Sequence, residues 1–580
     1  MTAAQIASLS LGFRNRYLSY DELTTQLSAW ASAFPEHARL ESIGKTPEGR
    51  DLWVLTVGDD RRGQPAVWVD GNMHATEVAG SSVALAIAED ALALRLGQAP
   101  SAALPPATLK ALRDVVFHVM PRMSPDGAET VLSTGRYVRS VPRDARPHRQ
   151  KARWSAGDVD GDGLALLMRV ADETGEYVED QEVPGLLIPR GLEDEGPFYR
   201  LFPEGHIENF DGHHVPEPHF LSDNDPDLNR NFPASWAPEP EQIGAGRFAT
   251  SEPESRAVVD YVVARPNLFA WFNLHTYGGC FIRPPGDHAD NKMDQEDLAI
   301  YREVGDYSER LTGYPMVSGF EEFTYAPDTP LRGDLCDFAY LHRGCIAYVC
   351  ELWDLFHQLG MERPKRFVDF YRSVSREALH KLVALDRGKN EGRIFRPWKK
   401  VTHPQLGAVE VGGLDPRIGI SNPPLSMLAD VCRAQTAAWL RTASLVPRVV
   451  VSKVATFDLE SGLTEVELVI ENHGYLATYG LPSAKRLPWN EPLWATIAPG
   501  DGVTLLGPAA ARRQEVGHLE GWGRGKDSGA SSTWFAKSRG TASRRVVRFV
   551  VRGAGTVDVT VESCRVGRTS VRVDVRAEQK

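Results

Sequence analysis

The chain has 580 residues, 42% of them hydrophobic and 24% charged, the balance of a globular protein long enough for more than one folded unit. Its formal net charge of −12 excludes the basic footprint of a general nucleic-acid binder. The six cysteines form no CxxC pair and are too scattered for a disulfide framework, which points to a reducing compartment such as the cytoplasm. The N-terminus lacks the charged start and apolar core of a secretory signal, and no run is apolar enough to span a membrane. Oligomeric state is left open.

Residues 20–34 (YDELTTQLSAWASAF) predict an amphipathic helix opened by acidic residues. RDLWVLTVG and PAVWVDGN predict strands, the second an unbroken apolar run suited to burial on both faces. GSSVALAIAEDALALRL follows as a helix of strong propensity, and DVVFHVMPRMSPDGAE as a strand closed by a Ser-Pro-Asp-Gly turn. From about 140 to 226 the pattern weakens into a segment rich in Asp, Glu, Gly, Pro and Arg, read as an insertion. The alternation resumes with ESRAVVDYVVARP (helix), NLFAWFNLHTYGG (strand) and GCIAYVCELWD (strand), and ends near 388 with the helix RFVDFYRSVSREALHKLVAL. Residues 389–445 read as a connecting region carrying the helix LSMLADVCRAQTAAWL. Beyond it TEVELVIEN, RRVVRFVVRG and GTVDVTVESC alternate with period two. The expected architecture is α/β over 1–388, a mixed, mostly parallel sheet flanked by helices, followed by a small all-β sandwich over 446–580.

Two His-x-x-Glu spacings occur, His74/Glu77 and His214/Glu217. The first pair follows a buried strand directly, at the carboxyl end where open α/β sheets hold ligands. The second lies in the insertion with Pro216 between the two residues. A catalytic zinc takes three protein ligands and leaves a position open, so a third ligand is expected from another strand end. His275 closes one apolar strand and Glu351 another; a lone histidine there is ordinarily structural, but a buried unpaired carboxylate is costly. Asp227, Asn229 and Arg230 in DPDLNRNF form either a polar turn or a clamp for a carboxylate.

Taken in order, HxxE, SPDG, DxNRN, LHTY and ELxD resemble the zinc metallocarboxypeptidases of the carboxypeptidase A type, from about Tyr17 to about Leu385. The resemblance implies one zinc held by His74, Glu77 and His275, with Asp227 orienting His74. It implies Glu351 as the general base acting with zinc-activated water. Arg139, the middle arginine of RYVRSVPR between Arg136 and Arg143, matches the oxyanion residue. Asn229 and Arg230 match the pair that grips the substrate's terminal carboxylate, and Tyr325 the tyrosine that covers the substrate. A peptide with a free C-terminus is the implied partner, with neither nucleic acid nor membrane. The chain departs from the pattern at Thr76, where the family often has Arg, and at the specificity floor. Ungapped counting puts Cys336 there, with Asp334 and Asp287 nearby. The insertion is expected to border the cleft. Inside it Asp158, Asp160 and Asp162 have the spacing of a calcium loop, yet Arg169 stands at the twelfth position, which favours an ion-free Gly-Asp turn over Ca²⁺. Two other functions fit: a zinc amidohydrolase of the same fold acting on cell-wall peptide, isopeptide-linked glutamate or an N-acyl amino acid, and a non-catalytic zinc-binding protein.

Overall fold

A computed structural model describes residues 3–60, 63–143, 151–218, 226–326, 328–526 and 538–576. Eight strands form the central sheet: β1 (Ala38–Lys45), β2 (Asp51–Val57), β3 (Ala66–Gly71), β4 (Val116–Met120), β5 (Leu268–Thr276), β6 (Cys280–Arg283), β7 (Met316–Ser318) and β8 (Ile346–Leu352). Their spatial order is β1-β2-β4-β3-β5-β8-β6-β7. The inner pairs β4–β3, β3–β5 and β5–β8 are parallel. Every residue of β3, β5 and β8 is buried, the reason these strands read as apolar runs instead of alternating ones.

Helices cover both faces of the sheet. Ala79–Arg95 and Gln295–Thr312 share one core with Phe272 of β5 and Tyr348 of β8. On the other face Pro253–Val263 packs Val258 and Val262 against Trp68 and Trp271. The first long helix, Tyr20–Ala33, starts with a capping box between Ser19 and Glu22. Two expectations change. Ser-Pro-Asp-Gly does not merely turn: Pro125 opens the helix Pro125–Thr134, its fixed φ suiting the first helical turn. The helix expected from Arg366 onward is broken, because Ser375 caps a new start; a 3₁₀ turn (Phe367–Tyr371) precedes the helix Arg376–Lys389.

Residues 389–445, expected to connect, are integral to this architecture. The helix Leu425–Ala443 lies in the central core, with Trp439 stacked on Tyr348 at 4.6 Å between ring centroids. The hairpin Phe395–His403/Gly407–Leu414 pairs with insertion strand Leu167–Ala171, as in Val411 opposite Met168. Insertion and hairpin together make one six-stranded sheet.

At the C-terminal end, two four-stranded antiparallel sheets face each other across Val466, Leu468, Phe549, Ile497, Val559 and Val561. Their alternating sequence follows from having one buried face. The sandwich is tied to the central sheet by Arg565. This fully buried side chain donates to Leu268 O (2.6 Å), where β5 begins, and to Arg343 O (2.8 Å). All six cysteines are free, and among the described residues no helix is long and apolar enough to cross a membrane.

Arg565→Ala leaves two buried carbonyls without their charged donor. We expect a stability loss of about 2–4 kcal/mol, read as a lower urea midpoint in equilibrium unfolding.

Candidate metal centre and cleft

The site is built where β3, β5 and β8 end. β5 and β8 run parallel with His275 opposite Glu351, so both side chains emerge side by side at the carboxyl edge. β3 delivers the loop carrying His74 and Glu77. Helix and strand approach closely there: a Cβ at Gly71 would lie 2.6 Å from the Gly80 carbonyl, so no larger residue fits. Asn72 turns the chain with φ of 55°, a left-handed conformation that Asn tolerates, and its amide donates to His74 O (2.8 Å) and Ala75 O (3.1 Å).

Three ligand atoms converge. His74 Nδ1 lies 2.8 Å from Glu77 Oε1, His275 Nδ1 lies 3.0 Å from His74 Nδ1 and 3.1 Å from Glu77 Oε2. All three residues are buried. The outer ring nitrogens have partners of their own: His74 Nε2 faces Asp227 Oδ1 at 3.1 Å, and His275 Nε2 faces Asn273 Oδ1 at 2.7 Å. With protons on those outer nitrogens, both Nδ1 atoms present lone pairs to one another and to a carboxylate. Three such donors need a positive charge between them, and two histidines with one glutamate is a zinc donor set. The residues present therefore fit the ion.

Electrostatics agree. Burial alone would lower the His275 imidazole, yet the charges of Glu77 and Glu351 push it up to about 9. Burial, and then the neighbouring Glu77, push the Glu351 carboxyl up to about 8. Both shifts express the crowding of carboxylates around the two histidines. Against burial, Arg139 and His74 hold the Asp227 carboxyl well below its usual range. Arg139 Nε donates to Asp227 Oδ2 (3.0 Å) and its Nη1 is 3.9 Å from Glu77 Oε1.

Asn229, Arg230, Tyr325, Arg139 and Glu351 line a single cavity with His74 and His275. Arg230 Nη1 donates to Asn229 O (2.7 Å), while the Asn229 amide bridges Asp334 Oδ2 (2.8 Å) and Leu335 N (2.9 Å). Tyr325 is half exposed, and Arg372 Nη2 binds its carbonyl (2.8 Å). At the specificity end, Cys336, Asp334 and Asp337 lie on the wall, whereas Asp287 is bound by Ser235 Oγ (2.6 Å) and does not. Among the described residues no part of the insertion lines this cavity, and residues 144–150 and 219–225 of the insertion lie outside the described residues. Arg143 is engaged elsewhere, with Glu252 and Glu254. His214 and Glu217 are exposed and take no part in the convergence.

The Asp158/Asp160/Asp162 group is the other cluster among the described residues able to hold an ion. Its carboxylates accept Gly161 N (2.7 Å), Gly163 N (2.8 Å) and Leu164 N (2.8 Å), and Lys399 Nζ sits 3.0 Å from Asp160. These bonds close the Gly-Asp turn by themselves.

Four supporting residues escaped the sequence reading: Asp70, Asn72, Asn273 and Asn422. Asn273 carried a usable signal, because a polar residue two positions before His275 shares its face of the strand. Its Nδ2 donates to Asp70, which also accepts from Trp68 Nε1 (2.8 Å) and Trp271 Nε1 (2.7 Å).

A doubly covered, mixed sheet thus carries a two-histidine, one-glutamate convergence at its carboxyl edge. The zinc carboxypeptidase family model matches residues 23–163 and 209–367, just over half of the chain, and the chain belongs to that family. The unmatched gap falls within the insertion. Residues 448–574 match a domain of unknown function. Carboxypeptidase D of Mus musculus is 32% identical over 377 residues, 61% of this chain and 20% of that protein. The carboxypeptidase N catalytic chain of Mus musculus is 30% identical over 360 residues, 58% of this chain and 63% of that one. The chain thus spans less than two thirds of either relative. The structure of bovine thrombin-activatable fibrinolysis inhibitor in complex with tick carboxypeptidase inhibitor aligns at 15% identity over 74% of this chain and 98% of that one, with a TM-score of 0.41.

Asn273→Ala frees the His275 ring and its tautomer. We expect zinc affinity to fall about 10–100-fold, measured by competition with a chromophoric chelator.

Proposed function

We propose that this chain is a zinc-dependent metallocarboxypeptidase that hydrolyses the last peptide bond of its substrate. The observation that carries the reading is the meeting, in one cavity, of His74, His275, the Glu351 carboxylate and the Arg230 guanidinium, with Glu77 completing the donor set beside the two histidines. A zinc ion held there would supply a Lewis acid that acidifies water and polarises a carbonyl.

The remaining work falls to the chain. Glu351 stands opposite His275 across the parallel β5–β8 pair, placed to take a proton from water and return it to the leaving amine. Arg139, fixed through Nε by Asp227, turns its remaining N–H groups towards charge developing on the scissile oxygen. Arg230 receives the terminal carboxylate, with the second N–H of the Asn229 amide beside it. Tyr325 stands exposed at the cavity mouth and covers the bound end.

A basic C-terminal side chain is the preferred one. Burial, then the nearby Asp334 and Asp287, hold the Asp337 carboxyl well above its usual range. Gly286 N donates to both its oxygens at 3.0 Å. A Lys or Arg side chain reaching Asp337 offsets this crowding of carboxyls, whereas an apolar one does not. The Arg283 guanidinium on the same wall is already paired with Asp290.

The test is digestion of matched peptides with free and amidated C-termini by zinc-loaded protein. Release of the last residue from the free acid alone is expected; equal cleavage of both would favour a same-fold amidohydrolase. Glu351→Gln should lower kcat by about 10²–10⁴-fold with zinc still bound, and full activity in that variant would refute the assignment of the base. Asp337→Asn should reduce the preference for C-terminal Lys over Phe at least about tenfold in kcat/KM, leaving Phe release little changed.

A further inference from the structure

We infer that Asn422 is a positioning residue of the metal loop, capping it from a segment that lies outside the family-matched residues. The inference rests on the metal-site reading above.

The helix Ala79–Arg95 begins two residues after the ligand Glu77, and it has no cap of its own. Val78 occupies the cap position, in helical backbone geometry and without a polar side chain. The first N–H groups of a helix have no partner within it and call for an acceptor from elsewhere. Asn422 provides one. Its Oδ1 accepts Ala79 N at 2.8 Å, and its Nδ2 donates to Thr76 O at 2.7 Å. One amide therefore grips the backbone on both sides of Glu77. The contact is fully buried, and the family match ends at residue 367.

The amide is itself held firmly. Its Nδ2 also donates to Arg417 O (2.8 Å), and Asn422 O accepts Gly419 N (2.7 Å). Arg417 is locked by Asp415 (2.9 and 2.8 Å) and by Leu132 O (3.0 Å). Asn390 donates to Ile418 O (2.8 Å), and Tyr17 to Pro423 O (2.8 Å). The segment from Asp415 to Pro424 is thus a rigid bracket against the loop. A loss of the amide releases the peptide groups flanking Glu77 and, with them, the carboxylate's alignment with His74 and His275. Zinc affinity and ligand geometry are the properties that should respond.

The test uses the full chain carrying Asn422→Ala or Asn422→Asp. The Asp variant keeps an acceptor for Ala79 N but cannot donate to Thr76 O or Arg417 O, and circular dichroism establishes that each variant is folded. Zinc affinity is measured by chelator competition, and the visible spectrum is recorded on cobalt-loaded protein. Asn490→Ala is the control. That buried amide bridges Tyr479 O and Ala484 O at 2.9 Å each, in the region of the C-terminal sandwich. The expected result is a zinc affinity at least about tenfold weaker and a shifted cobalt spectrum in both Asn422 variants, with neither change in Asn490→Ala. Folded Asn422 variants that bind zinc within twofold of wild type, with an unaltered cobalt spectrum, would overturn the inference. So would an equal loss in Asn490→Ala, because the effect would then be one of general stability. Failure of the wild-type chain to bind zinc would instead remove the metal-site reading itself.

Discussion

Two imidazole lone pairs and a carboxylate held about 3 Å apart in a buried cleft repel one another unless a cation lies between them. The surrounding structure can be understood as what forces these groups together. Parallel pairing of β3, β5 and β8 brings three strand ends to one edge, and the register sets His275 opposite Glu351. The strands can be packed this tightly only because both faces of the sheet are covered. Large aromatic side chains fill the layer beneath the site, Trp68 against Trp271 on one face and Trp439 on Tyr348 on the other.

Burial raises the carboxyls in this small volume, and the neighbouring charges decide where each ends. Asp227 remains strongly acidic because Arg139 and His74 more than offset its desolvation. Glu351 faces Glu77 and is pushed upward instead. Two carboxylates of one site are thus held in different electrostatic surroundings, Asp227 beside an arginine and a histidine and Glu351 beside another carboxylate. Arg139 connects the two regions, since its fixed Nε leaves the other end of the guanidinium near Glu77 and the cavity.

Much of this was legible in the sequence because the central strands are strongly apolar and the ligands sit at their ends. His74, Glu77, His275 and Glu351 follow or close such runs, and the ordered motifs added Asp227, Asn229, Arg230 and Arg139. Other features depend on distant pairing and leave little local trace. Nothing in GAVEVGGL indicates that it pairs with LMRVA more than two hundred residues earlier, as Val411 does with Met168. Likewise, the helix Leu425–Ala443 was legible as a helix, but its place in the central core depends on Trp439 meeting Tyr348 and Phe272. The break at Ser375 was missed because amphipathic spacing continues across it, although a serine followed by RE is a recognisable helix start.

The residues that position the metal loop are mostly asparagines, and their chemistry suits the task. Asn72 shapes the turn, Asn273 holds the outer nitrogen of His275, and Asn422 grips the backbone around Glu77. An amide both donates and accepts, so each can bridge two groups without adding charge beside the candidate metal ligands. A carboxylate in place of Asn273 would add negative charge to a cleft that already contains Glu77, Glu351 and Asp227. Asp70, one step further away, carries the charge instead. Burial pushes its carboxyl up to about 6, while the N–H donors of Trp271, Asn273 and Trp68 oppose that rise. Its influence reaches His275 through a neutral intermediary. Orientation is thus shared between neutral and charged partners: the amide of Asn273 holds the His275 ring without adding charge, whereas the Asp227 carboxylate holds the His74 ring with its charge offset by Arg139.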